Sequence, residues 1–106
     1  MLEKLITAAW EVRKNAYAPY SHFAVGAAVL TAEGRIYTGC NIENISYGLT
    51  NCAERTAIFQ AVAHGERDFT HLAICTDTDT WTAPCGACRQ VMLEFAPQMQ
   101  VIMVNS

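Results

Sequence analysis

Charge is scarce in this chain. Asp, Glu, Lys and Arg together make up 16% of the 106 residues, and seven basic against ten acidic side chains leave a net charge of −3. The bases are dispersed from Lys4 to Arg89, so no basic stripe exists to follow a phosphate backbone, and a nucleic-acid partner is disfavoured. Long apolar runs are missing from the N-terminus, where charges interrupt "MLEKLITAAWEVRKNAYAPYSHF" before it forms a signal-peptide core or a membrane span. No membrane partner is expected, and the reading is a cytoplasmic protein. Repeats and low-complexity tracts are also absent, and with 52% hydrophobic residues the chain is expected to fold as a single domain, residues 1–106. The five cysteines are an odd number, and thiols spaced as these are in a reducing compartment bind metal or do chemistry more often than they form disulfides.

Periodicity supplies the elements. Leu2, Leu5, Ile6, Ala9 and Val12 recur at helical spacing and predict an amphipathic packing helix over 2–16. From Phe23 to Leu30 both alternating sets are apolar or small, which suits a strand covered on both faces. "TAEGR" turns the chain and residues 35–41 return as the second hairpin strand. A helix is expected over 51–64, stopped by Gly65, then a strand over 71–76, a helix over 84–95 opened by Pro84, and a strand over 100–105. This order predicts a mixed sheet with helices packed on it, its last two strands parallel through a right-handed crossover.

Cys52, Cys85 and Cys88 stand at the predicted helix starts, where partial positive charge and unpaired backbone N–H groups favour the thiolate. Cys85 and Cys88 share a face at i, i+3, and one crossover brings Cys52 alongside if both helices begin at the same sheet edge. Three soft ligands select zinc, one ion per chain, and three rather than four leave a position for water, as in a catalytic site. Cys40 and Cys75 read as packing residues, and His22, His64 and His71 as surface or loop residues. Glu54 projects beside the metal without ligating it, placed to accept a proton from water and return it to a substrate nitrogen. Alone it would be a first-turn glutamate favoured by the helix dipole. Zn²⁺ with three thiolates sums to −1, a weak Lewis acid, and Arg55 is suited to donate hydrogen bonds to the sulfurs and draw charge from them.

"CAE" at 52–54 with "PCGAC" at 84–88 matches the zinc nucleobase-deaminase signature. Together with "AYAPYSHFAVGAA", "GCNIEN", "NCAERTA" and "PCGACRQV", the chain closely resembles the small homotetrameric cytidine deaminases, from near residue 2 to the last residue. The resemblance implies a three-layer α-β-α fold of the cytidine deaminase type and hydrolytic deamination of cytidine and deoxycytidine to uridine and deoxyuridine with release of ammonia. It implies that an activated water attacks C4 of the base while Glu54 protonates N3 and then the departing amine. By motif position, Asn41 and Glu43 would hydrogen-bond the ribose 3′-hydroxyl and Phe23 would pack near the nucleoside. Read without the family, Asn41 and Glu43 are loop polar residues and Phe23 is core. Family members usually continue for some tens of residues past the strand resembling "VIMVNS", so the C-terminal strand and helix are expected to be missing here. A homotetramer is implied, or a dimer given that short C-terminus.

Three other readings compete. A deaminase of an aminonucleoside antibiotic shares the zinc motifs, although "CNIEN" favours ordinary pyrimidine nucleosides. A thioredoxin-like redox protein would use "WTAPCGAC" but leaves Cys52 and Glu54 unexplained. A zinc-stabilised interaction module would bind the metal and release no ammonia.

Overall fold

A computed structural model describes residues 2–46, 49–76 and 86–105. Its elements in chain order are α1 (Leu2–Arg13), β1 (Val25–Thr31), β2 (Ile36–Cys40), α2 (Ala53–Ala63), β3 (Phe69–Thr76), α3 (Gly86–Phe95) and β4 (Gln100–Asn105). The four strands form one sheet in the order β2-β1-β3-β4. β1 is antiparallel to both β2 and β3, whereas β3 and β4 run parallel, as a β-α-β crossover through α3 requires. Among the described residues no helix is long and apolar enough to cross a membrane.

The sheet is covered on both faces because β1 is apolar on both. Val25, Ala27 and Val29 point into one cluster with Ala57, Ile58 and Met92 from α2 and α3. Ala28 and Leu30 point into the other, with Leu5 and Ala9 of α1 and with Ala73 and Cys75 of β3. Leu5, Val29, Ile58, Leu72 and Ile74 are almost wholly buried, and full burial of such a side chain is worth about 1.5–3 kcal/mol.

Two strand glycines set how closely the helices lie. A Cβ on Gly26 would stand 2.0 Å from the Ala9 carbonyl oxygen of α1. A Cβ on Gly39 would stand 2.3 Å from the Ala57 nitrogen and 2.8 Å from the Ala53 oxygen, so α2 rests its first turns directly on β2. The alanines at 53, 57 and 61 continue that small-residue face along the helix. Gly34 turns the hairpin at φ 89, a left-handed conformation that costs glycine nothing.

Against the predicted bounds, α1 stops three residues early. Asn15 and Ala16 donate i→i+3 bonds that tighten the chain, and Tyr17 N–H then reaches the Asn41 carbonyl at 2.9 Å, a partner the helix could not offer it. β3 starts two residues before its predicted start because Phe69 pairs with Thr31 past a register shift. The predicted opening of α3 at Pro84 and Cys85 lies outside the described residues.

Candidate functional site

Cys52 occupies the N-cap position of α2, extended at φ −76 and ψ 156, and its thiol makes no capping bond. Its backbone is held instead: the carbonyl accepts from Thr56 N–H and from Thr56 Oγ1, each at 3.0 Å. Cys88 lies in the first turn of α3 and is completely buried. Both thiols therefore sit at positively polarised helix starts on the same side of the sheet.

Glu54 and Arg55 fill the space between those two sulfurs. Glu54 is 6% exposed, and burial pushes its carboxyl above the ordinary range; the Cys52 charge adds to this, while Glu54's own backbone N–H and the Cys88 thiol act against it. Arg55 Nη2 donates to Cys52 Sγ at 3.6 Å and to the Thr50 carbonyl at 3.0 Å. Hydrogen bonding to Cys52 raises the Arg55 pKa, and interactions with Cys52 and Cys88 charge support it. Arg55 Nε is buried with no hydrogen-bond partner among the described residues. The donor set suits a soft cation: two thiols at helix N-termini share one guanidinium that offsets sulfur charge, with a buried carboxyl bonded to one and close enough to the other to feel its charge. Cys85 lies outside the described residues, and among those described no three His, Cys, Asp or Glu side chains gather as a ligand set. Cys40 and Cys75 are buried strand residues, and Cys75 Sγ donates to the Ile6 carbonyl at 3.7 Å, across the sheet from α2.

The segment after β2 runs beside the start of α2. Ile42 and Asn51 exchange both backbone hydrogen bonds, at 2.8 and 2.9 Å, which sets residues 41–43 next to Cys52. Asn41 is buried and spends its amide on β1: Nδ2 donates to the Phe23 carbonyl at 2.8 Å and Oδ1 accepts from Val25 N–H at 2.9 Å. Glu43 binds the preceding loop, where Oε1 accepts from the backbone N–H groups of Tyr20 (3.0 Å) and Ser21 (3.1 Å), and Oε2 accepts from Ser21 Oγ. The Ser21 hydroxyl is the largest influence holding the Glu43 pKa below its usual value. A cavity of about 130 Å³ opens there, lined by Tyr20, Ser21, Glu43, Asn44 and Thr50. Phe23 is half-buried against the cluster under α2 and α3.

Cys52, Glu54, Arg55 and Cys88 are thus brought together, and Asn41 and Glu43 both brace the loop that carries Phe23. Asn41 does not line the cavity beside Glu43, so the two are not joined in one described pocket. Ser21, Thr50 and Gly39 were not read from the sequence as site residues. The "GC" before "NIEN" is the only local hint of Gly39, and no spacing rule ties Ser21 to a partner 22 residues away.

The family model described as the cytidine and deoxycytidylate deaminase zinc-binding region matches residues 1–104. A cytidine deaminase of Sporosarcina psychrophila is 54% identical over 105 residues, spanning 98% of this chain and 77% of that protein. One from Halalkalibacterium halodurans is 55% identical over 95 residues, 90% of this chain and 72% of that protein. Among solved structures, the cytidine deaminase of Burkholderia pseudomallei superposes with a TM-score of 0.94 at 52% identity, covering 99% of this chain and 85% of that one.

Proposed function

The chain belongs to the cytidine and deoxycytidylate deaminase family, and from that premise we propose that it hydrolyses cytidine and deoxycytidine to uridine and deoxyuridine, releasing ammonia. The observation that carries this is Glu54: a carboxyl 6% exposed, hydrogen-bonded to the Cys88 thiol and within reach of the Cys52 charge. Cys52, Cys85 and Cys88 hold one zinc ion per chain. Bound there, zinc supplies the Lewis acidity that makes water nucleophilic near neutral pH.

This chain's own groups do the rest. Glu54 takes a proton from the attacking water and passes it to N3 of the base. It then carries the second water proton to the amino group, so that C4 gains oxygen and ammonia leaves. A carboxyl whose pKa is lifted by burial is suited to both halves of that transfer. Arg55 withdraws charge from Cys52, offsetting the excess of three thiolates over Zn²⁺. Glu43 and Asn41 receive the ribose 3′-hydroxyl and Phe23 packs near the nucleoside. "CNIEN" favours ordinary pyrimidine nucleosides over aminonucleoside antibiotics, and a redox or purely structural use of the cysteines would leave Glu54 and Arg55 without purpose.

We also infer a homotetramer, or a dimer, working in the cytoplasm, with residues 1–106 acting as one domain. Exposed apolar side chains at Ile45, Leu49 and Leu93, 85%, 71% and 61% accessible, support association. The deciding experiment is an ultraviolet assay of cytidine loss on zinc-loaded protein beside Glu54→Ala. The wild type should turn over, and the folded, zinc-bound variant should lose at least about 10²-fold in kcat. Equal rates would remove Glu54 as the proton carrier.

A further inference from the structure

We propose that Ser21 is a positioning residue for Glu43, fixing that carboxylate so that a single acceptor position remains for a sugar hydroxyl of the nucleoside. The proposal rests on the deaminase reading above and adds a residue to it. An ionised carboxylate offers about four acceptor positions. Three are occupied from one side: Oε1 by the N–H groups of Tyr20 and Ser21, and Oε2 by the Ser21 hydroxyl. Among the described residues, one position on Oε2 is left.

The Ser21 hydroxyl has no freedom to turn away. Its oxygen accepts from Phe23 N–H at 3.1 Å, which directs its own proton to Glu43. Ser21 therefore links two groups assigned to the nucleoside, the carboxylate and the backbone of Phe23. The loop that does this is not one the local sequence prefers. His22 is left-handed at φ 58 and its N–H closes the turn onto the Ala18 carbonyl at 3.0 Å, a conformation that persists in a non-glycine residue only where the surroundings hold it. Glu43, reaching in from beyond β2, bonds the two residues just before His22. Glu43 and Ser21 line the cavity of about 130 Å³ that Tyr20, Asn44 and Thr50 complete. An acceptor with no donor capacity selects a hydroxyl and rejects an ether or a phosphate ester at that point.

The test compares cytidine with 3′-deoxycytidine on zinc-loaded wild type, Ser21→Ala and Ser21→Thr. Ser21→Ala should raise KM for cytidine about tenfold with kcat held within about twofold, since a contact made equally in the ground and transition states is lost. On 3′-deoxycytidine it should match the wild type, because the hydroxyl that Glu43 receives is already absent. Ser21→Thr, which keeps the hydroxyl, should restore the cytidine KM. A role confined to holding the loop would instead lower both substrates alike. Equal losses on the two substrates, an unchanged cytidine KM, or no rescue by threonine overturns the proposal. If the wild type consumes neither nucleoside, the deaminase reading fails separately. Carbon-13 titration of the Glu43 carboxyl then decides the brace: its pKa rises in Ser21→Ala if the hydroxyl holds it, and an unmoved value overturns it.

Discussion

Helix α2 has a glutamate at each end, one in its first turn and one just past its last, and water reaches the two equally. Glu54 and Glu66 are each 6% exposed, yet their carboxyls shift in opposite directions. Glu66 is held below its ordinary pKa by Arg35 first, whose Nη2 donates at 3.2 Å, and by the Tyr37 hydroxyl at 2.9 Å. Glu54 has only its own backbone N–H and the Cys88 thiol as donors among the described residues, since its arginine neighbour bonds Cys52 and Thr50. Burial is the largest influence on Glu54, whereas at Glu66 the Arg35 hydrogen bond outweighs it. The one held by an arginine and a tyrosine ties the β1–β2 hairpin to the end of α2, whereas the one with weaker donors is suited to move a proton.

The sharpest way to break this contrast is to make both carboxyls neutral in turn. Glu54→Gln should abolish deamination, by about 10²–10⁴-fold in kcat, while Glu66→Gln should leave kcat per bound zinc within about twofold of wild type. An active Glu54→Gln, or an inactive but folded Glu66→Gln, would reverse the assignment. Arg55→Gln comes next. It should retain zinc, measured by metal analysis, and lose about 10–100-fold in rate as the sulfurs regain their excess charge. Turnover at the wild-type rate would show that α2 needs no guanidinium at its site end.

The site end was far more legible in the sequence than the other. Cys52, Glu54 and Arg55 are neighbours in the chain and Cys88 belongs to a spaced pair, so local order already showed them as a group. β1 was equally plain, because a strand buried on both faces is apolar or small at nearly every position. Nothing local announced Glu66, whose partner Arg35 is 31 residues away, or Ser21, 22 residues from Glu43. Such pairs are made by the hairpin and the loop only after the sheet has formed, and no hydrophobic period records them. Asn41's motif position suggested a sugar contact, while the bonds of its amide to the backbone of Phe23 and Val25 follow no local pattern.

A third comparison uses the two faces of β1 and β2. Gly26→Ala and Gly39→Ala each drive a methyl into helix backbone, and each should cost about 1–3 kcal/mol, read as a lower denaturant midpoint. Their effects on chemistry should differ. The methyl at Gly39 pushes on Ala53 and Ala57, shifting the turn that holds Glu54, and should lower kcat of the remaining folded protein several-fold, whereas Gly26 contacts only α1. Equal specific activities for the two variants would show that close seating of α2 serves stability alone.

The smallest expected effect lies at the quiet end of α2 and concerns acid. Glu66 has its folded-state pKa below the ordinary value of 4.5, so its contribution is fully present above about pH 4.5 and disappears as pH falls through the folded value. Wild type should melt above Glu66→Gln by a constant margin between about pH 6 and 8, and the margin should close at lower pH as the native carboxylate takes up its proton. Glutamine in that place still offers one oxygen, but its amide group turns a donor toward Arg35, which has only donors to give it. A margin that stays constant into acid would mean that the Arg35–Glu66 contact acts through shape rather than charge, and the two ends of the helix would then differ for a reason other than their donors.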